Sequence, residues 1–150
     1  EDNLLAILET LPIPKPIQRQ RCDELLQQFH LEHKRKHLAK TCSGGERRRL
    51  EIARSLIMRP QLILLDEPFA AVDPHTVEDV QAEVRKLADS GIAVLVTDHA
   101  VQQTLHICDR AYIIDSGNNL MDGDPKTIIN DETVRKHYLA STFRGDEFDE

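Results

Sequence analysis

Two short apolar runs constrain this chain more than any other feature. Leu62-Ile63-Leu64-Leu65 and Ile92-Ala93-Val94-Leu95-Val96 are each the length of one strand. Between them lies a single helical pattern, opened by the cap and proline Asp73-Pro74 and closed by Gly91. A strand, one helix and a second strand make a parallel pair with a right-handed crossover. Unbroken apolar runs of this kind predict strands buried on both faces. Ligands in parallel sheets bind beyond the carboxyl ends of the strands. At those two ends stand Asp66-Glu67 and Asp98-His99.

The chain before this unit reads as helical. Asp2 or Asn3 can cap a helix carrying Leu4, Leu5, Ile7, Leu8 and Leu11, which Pro12, Pro14 and Pro16 end. A second helix is predicted over about 18–29, with Cys22, Leu25, Leu26 and Phe29 on one face. A basic connection leads to Ser43-Gly44-Gly45-Glu46, which fits a capping box. The helix it starts buries Leu50, Ala53, Leu56 and Ile57, and Pro60 closes it. After the second strand come a helix over about 101–107, a hairpin turning at Gly117-Asn118-Asn119, and two short helices over about 125–129 and 132–139. The acidic end, Gly145 to Glu150, reads as a disordered tail.

Composition narrows the function classes. A chain of 150 residues is one domain with a real core. Net charge is −7, with six aromatic residues and no tryptophan, which disfavours nucleic acid as a partner. The charge is uneven. Residues 1–60 hold 12 Lys/Arg against 8 Asp/Glu, and the rest is strongly acidic. Cys22, Cys42 and Cys108 are too far apart for a disulfide framework or zinc site and read as reduced thiols. No apolar run approaches the roughly 20 residues that span a bilayer.

Each candidate motif has a plain reading when taken alone. Ser43 to Glu46 is a capped helix start, and equally a place where backbone donors and the helix dipole meet a phosphate that glycines let approach. Asp66-Glu67 is two solvated acids, or a Mg²⁺ carboxylate beside a base for an attacking water. Asp73 is an N-cap. His99 is a satisfied histidine, or one that bonds a phosphate oxygen or the attacking water. His30, His33 and His37 have near-helical spacing, but Lys34-Arg35-Lys36 among them would repel a metal cation. Arg47, Arg48 and Arg49 could touch phosphate or a partner, although a solvated helix face accounts for most of them.

Their order and spacing decide the matter. Cys42-Ser43-Gly44-Gly45-Glu46 resembles the signature motif of the ABC ATPases. Leu62 to Pro68 resembles the family's Walker B, Ala70-Ala71-Val72-Asp73 its D-loop, and His99 its switch histidine. The resemblance covers nearly the whole chain. It implies an α/β P-loop NTPase of the ABC ATPase kind, with a helical subdomain at 1–58, half of the RecA-like nucleotide-binding core at 59–140 and an acidic tail at 141–150. It implies ATP and Mg²⁺, with Asp66 on the metal through water, Glu67 as general base and His99 sensing the phosphate. Ser43, Gly44, Gly45 and Glu46 would contact ATP held by a second ATPase subunit in a homodimer, and Asp73 would communicate across it. Transmembrane transporter subunits would be the other partners, on the cytoplasmic face of the inner membrane.

Two departures accompany the resemblance. Cys42 stands where the signature usually has Leu. No G-x-x-x-x-G-K-[ST] loop occurs in the sequence, and no glutamine loop precedes Glu1. The expectation is a fragment, inactive by itself. A narrower resemblance, to the ATPases of lipopolysaccharide export, is carried by Gly44 to Arg54, Thr97-Asp98-His99, Cys108 to Tyr112, Tyr138-Leu139 and Phe143-Arg144. The similar ATPases of branched-chain amino acid import usually differ at Glu46-Arg47-Arg48-Arg49. Rivals of other classes are a non-transport ABC ATPase and a non-catalytic interaction module. Retained Glu67 and His99 weigh against the second.

Overall fold

The computed structural model of the chain describes residues 1–70 and 73–139. Ala71, Val72, Phe143, Arg144 and the acidic end fall outside the described residues. Helix α1 (Asp2–Leu8) is followed by α2 (Lys15–Gln28), two 3₁₀ turns (Glu32–Lys34 and Ala39–Thr41) and α3 (Gly44–Leu56). Then come β1 (Leu62–Asp66), α4 (Pro74–Asp89), β2 (Ala93–Thr97), α5 (Val101–Leu105), β3 (Ala111–Asp115), β4 (Asn118–Gly123), α6 (Pro125–Asn130) and α7 (Glu132–His137).

β1 and β2 pair in parallel, with Leu62 opposite Ala93 and Asp66 opposite Thr97. β3 and β4 form the expected antiparallel hairpin, with a register shift at Ile113/Ile114, but the turn is Ser116-Gly117 and Asn118 and Asn119 already belong to β4. Leu4, Leu8, Cys22, Leu26, Phe29, Ile52, Ala53, Ile63, Leu65, Val80 and Val84 share one core that joins α1–α4 to β1. Leu105, Ile113, Ile128, Ile129, Val134 and Leu139 make a second, smaller cluster beneath the hairpin.

Three local expectations change. Glu1, not Asp2 or Asn3, occupies the α1 N-cap, without a side-chain bond, and Asp2 sits in the first turn, where its charge suits the dipole. Pro16 does not end a helix but lies in the first turn of α2, where a missing N–H costs nothing. The strands are buried on one face only. Ile63 and Leu65 point into the core, whereas Leu64 is 68% and Leu95 55% exposed. The described residues cover one side of this pair, which gives β1 its alternating exposure within this chain.

Close packing of α3 on α4 explains one signature glycine. Gly45 is buried, and a Cβ placed there would lie 2.5 Å from Thr76 Cγ2. Thr76 cannot rotate away freely, because its hydroxyl and amide both bond Asp73. Gly45→Ala is therefore expected to cost about 1–3 kcal/mol by overpacking. Adding Thr76→Ser removes the colliding methyl and keeps the hydroxyl, and should restore most of the loss. Denaturant unfolding of the single and double variants measures both, and a neutral Gly45→Ala would contradict the packing account.

Candidate active site

The site grows from the carboxyl ends of β1 and β2. The register sets Asp66 beside Thr97, whose hydroxyl donates to Asp66 Oδ1 at 2.6 Å. Among the described residues no other donor reaches this carboxylate, so its second oxygen is available. Glu67 follows with φ +45°, a left-handed backbone that a non-glycine residue adopts at a cost. Its amide donates to Thr97 O at 2.7 Å. Its carbonyl accepts from Ala70 N at 3.2 Å and from Arg48 Nη2 at 2.9 Å. The turn aims the carboxylate outward, 58% exposed, towards His99, whose Nδ1 lies 3.7 Å from Glu67 Oε1.

Asp98 fixes the other side of this edge. Its side chain is fully buried, accepting from Phe69 N at 3.0 Å and Ala100 N at 2.9 Å. A buried carboxylate is costly unless it is bonded in this way, and charge-assisted bonds run about 1.5–3 kcal/mol each. Asp98 thus ties the loop after β1 to the loop after β2 and sets where His99 stands.

At the start of α3 the capping box is complete. Glu46 N donates to Ser43 Oγ at 3.2 Å, and Ser43 N donates to Glu46 Oε2 at 2.9 Å. The Gly44 and Gly45 amides are left without an acceptor among the described residues. The Ser43 hydroxyl still has its own proton to give. Glu46 Oε1 has two close neighbours, His33 Nε2 at 3.0 Å and Lys34 Nζ at 3.3 Å. The Ser43 amide, then His33 and Lys34, hold the Glu46 carboxyl down at about 2. Asp73 caps α4, with both oxygens engaged by Thr76, whose hydroxyl above all lowers its pKa.

Of the three arginines near the signature, Arg47 is exposed, as a solvated face requires, but Arg48 and Arg49 are engaged. Arg48 reaches Glu67 O and Glu51, and Arg49 reaches Asp79 on α4. Sequence reasoning missed Arg48 and Thr97 as parts of the site. Thr97 was open to discovery, since it faces Asp66 once the strands are paired in register. Arg48 left no signal, because its partner lies 19 residues away. His33 serves Glu46 rather than a metal cluster, and among the described residues no group of three His, Cys, Asp or Glu could hold an ion. A Mg²⁺ bound here would rest on one carboxylate, water and phosphate, a donor set that suits this ion and that Asp66 fits.

The βαβ unit, its acid pair and the histidine beyond β2 resemble those of a cassette of the ABC ATPase class, and the chain is similar in sequence and fold to members of that family. Residues 1–70 match the family model for ABC transporters. The lipopolysaccharide export system ATP-binding protein LptB of Escherichia coli K12 is 48% identical over 144 residues, 95% of this chain and 60% of that protein. A probable ABC transporter ATP-binding protein of Azorhizobium caulinodans is 52% identical over 147 residues, 96% of this chain and 51% of that protein. The chain thus spans between half and two thirds of the length of these relatives. In structure it resembles MJ1267, an ATP-binding cassette of an ABC transporter, with TM-score 0.79 and 28% identity over 92% of this chain and 61% of that one.

Glu46 gives a pH prediction. Its folded pKa is depressed, so its contribution to stability is present above its ordinary value of 4.5 and is lost as pH falls towards about 2. Wild type should exceed Glu46→Gln in denaturant midpoint at neutral pH, and the gap should close between pH 4.5 and 2. A gap that stays constant across that window would contradict the capping role of the charge.

Proposed function

We propose that the full-length protein carrying this chain is the ATP-hydrolysing subunit of an ABC transporter, and that it powers lipopolysaccharide export. The observation that carries the catalytic reading is the facing pair Glu67 and His99, 3.7 Å apart, beside an Asp66 oriented by Thr97. Export is favoured by the identity to LptB of Escherichia coli. The Azorhizobium relative carries no cargo in its description, and service to another ABC system is the second reading.

In this reading Asp66 would hold Mg²⁺ through water, and the ion would supply neutralisation of phosphate charge. Glu67, exposed and braced at its backbone, takes a proton from the attacking water. His99 orients that water or the phosphate against Glu67. Ser43, Gly44 and Gly45 offer a hydroxyl and two free amides to ATP held by a second ATPase subunit, and Glu46 keeps that helix start rigid. Asp73 holds the start of α4 beside the same dimer surface. Residues 1–58 act as the helical subdomain that meets the transmembrane subunits, and 59–140 as half of the nucleotide-binding core. Among the described residues no helix is long and apolar enough to cross a membrane. Attachment to the cytoplasmic face of the inner membrane would come through those subunits.

Glu67→Gln in the full-length protein tests the role directly. Removing a general base is expected to cut kcat by roughly 10²–10⁴-fold while ATP binding persists and ATP-bound dimers accumulate. Steady-state turnover and gel filtration with Mg·ATP report this, and unchanged turnover would remove Glu67 as the base. Depletion of the protein in its host separates the cargoes: lipopolysaccharide held at the inner membrane supports export, and normal delivery with a transport defect elsewhere supports the second reading.

A further inference from the structure

Glu67 occupies a backbone conformation that side chains disfavour, and such conformations persist only where the surroundings hold them. Three bonds do so here. Two are local to the sheet edge and the turn, from Glu67 N to Thr97 O and from Ala70 N to Glu67 O. The third comes from a different element. Arg48, in the second turn of α3, donates from Nη2 to Glu67 O at 2.9 Å. The other arm of its guanidinium is fixed by Glu51 Oε2 at 2.9 Å, one turn further along the same helix. A planar guanidinium held at one end presents its second donor in a set direction. Its side chain is 22% exposed.

We infer that Arg48 is a positioning residue for the catalytic carboxylate: it braces the Glu67 peptide and so joins the helix that carries the signature turn to the residue that activates water. This inference rests on the proposed ATPase function. The same helix begins at Ser43, which serves the partner's nucleotide in that reading, while Arg48 bears on the base of the chain's own site. A shift of α3 on nucleotide contact would therefore be felt at the Glu67 backbone through one guanidinium. Small displacements of a reacting group have large effects on rate, on the order of 10²-fold for 1 Å.

The test uses the full-length protein with Mg·ATP. Arg48→Ala is expected to lower kcat about tenfold with KM for ATP within about twofold, and Arg48→Lys, which keeps a donor on a long stem, to recover most of the loss. Arg48→Ala added to Glu67→Gln should bring little further loss, since Arg48 acts through that carboxylate. A helix tie of purely structural value would instead multiply with Glu67→Gln and would not favour Lys. If Arg48→Ala does not fold, Arg48→Gln carries the same comparison. Wild-type turnover from Arg48→Ala, a loss confined to KM, or multiplicative losses in the double variant would overturn the inference. A parent protein without Mg·ATP turnover sinks the proposed function instead. In that case amide exchange at Ala70, faster in Arg48→Ala than in the parent, decides for Arg48, and equal exchange decides against it.

Discussion

The in-register parallel pairing of β1 with β2 is the constraint on which the rest of the site depends. It places Asp66 opposite Thr97, so that a hydroxyl orients the carboxylate. It lets Glu67 N bond Thr97 O, which starts the left-handed turn. It also brings Asp98 within reach of Phe69 N. A slip by one residue would turn each of these side chains to the opposite face. Two strands and one crossover helix thus assemble two carboxylates and a histidine at one edge.

Helix α3 is the second half of the arrangement, and its start is built from charge as well as from the cap. Glu46 closes the capping box and at the same time gathers His33 and Lys34 from the preceding 3₁₀ turn. The basic stretch before the signature therefore has an electrostatic use within the fold. Gly45 lets α3 lie tightly on the first turn of α4, where Asp73 holds Thr76. Gly44 is exposed, whereas the Cα of Gly45 packs against Thr76 while its amide keeps no acceptor among the described residues.

Much of this was legible in the sequence, because the signals are local. Capping residues mark the starts of α3 and α4, and the glycine at 117 marks the hairpin. The apolar runs gave β1 and β2, one face of which the described residues of this chain leave uncovered. Pro16 was misread because the same residue that stops one helix can open the next. Arg48 and Thr97 were beyond local pattern: each bonds a residue far along the chain, and a sequence shows a donor without showing its acceptor.

The central claim is that the signature turn and the acid edge serve one chemistry, nucleotide hydrolysis across a pair of such chains. Amide hydrogen exchange on the full-length protein, with and without Mg·ATP, tests it most directly. The account predicts that the Gly44 and Gly45 amides, which lack acceptors among the described residues, gain protection with nucleotide, and that the gain grows with protein concentration as dimers form. Protection of the Glu67–Phe69 segment should rise alongside. Nucleotide binding that leaves the Gly44 and Gly45 amides exchanging as before would contradict it.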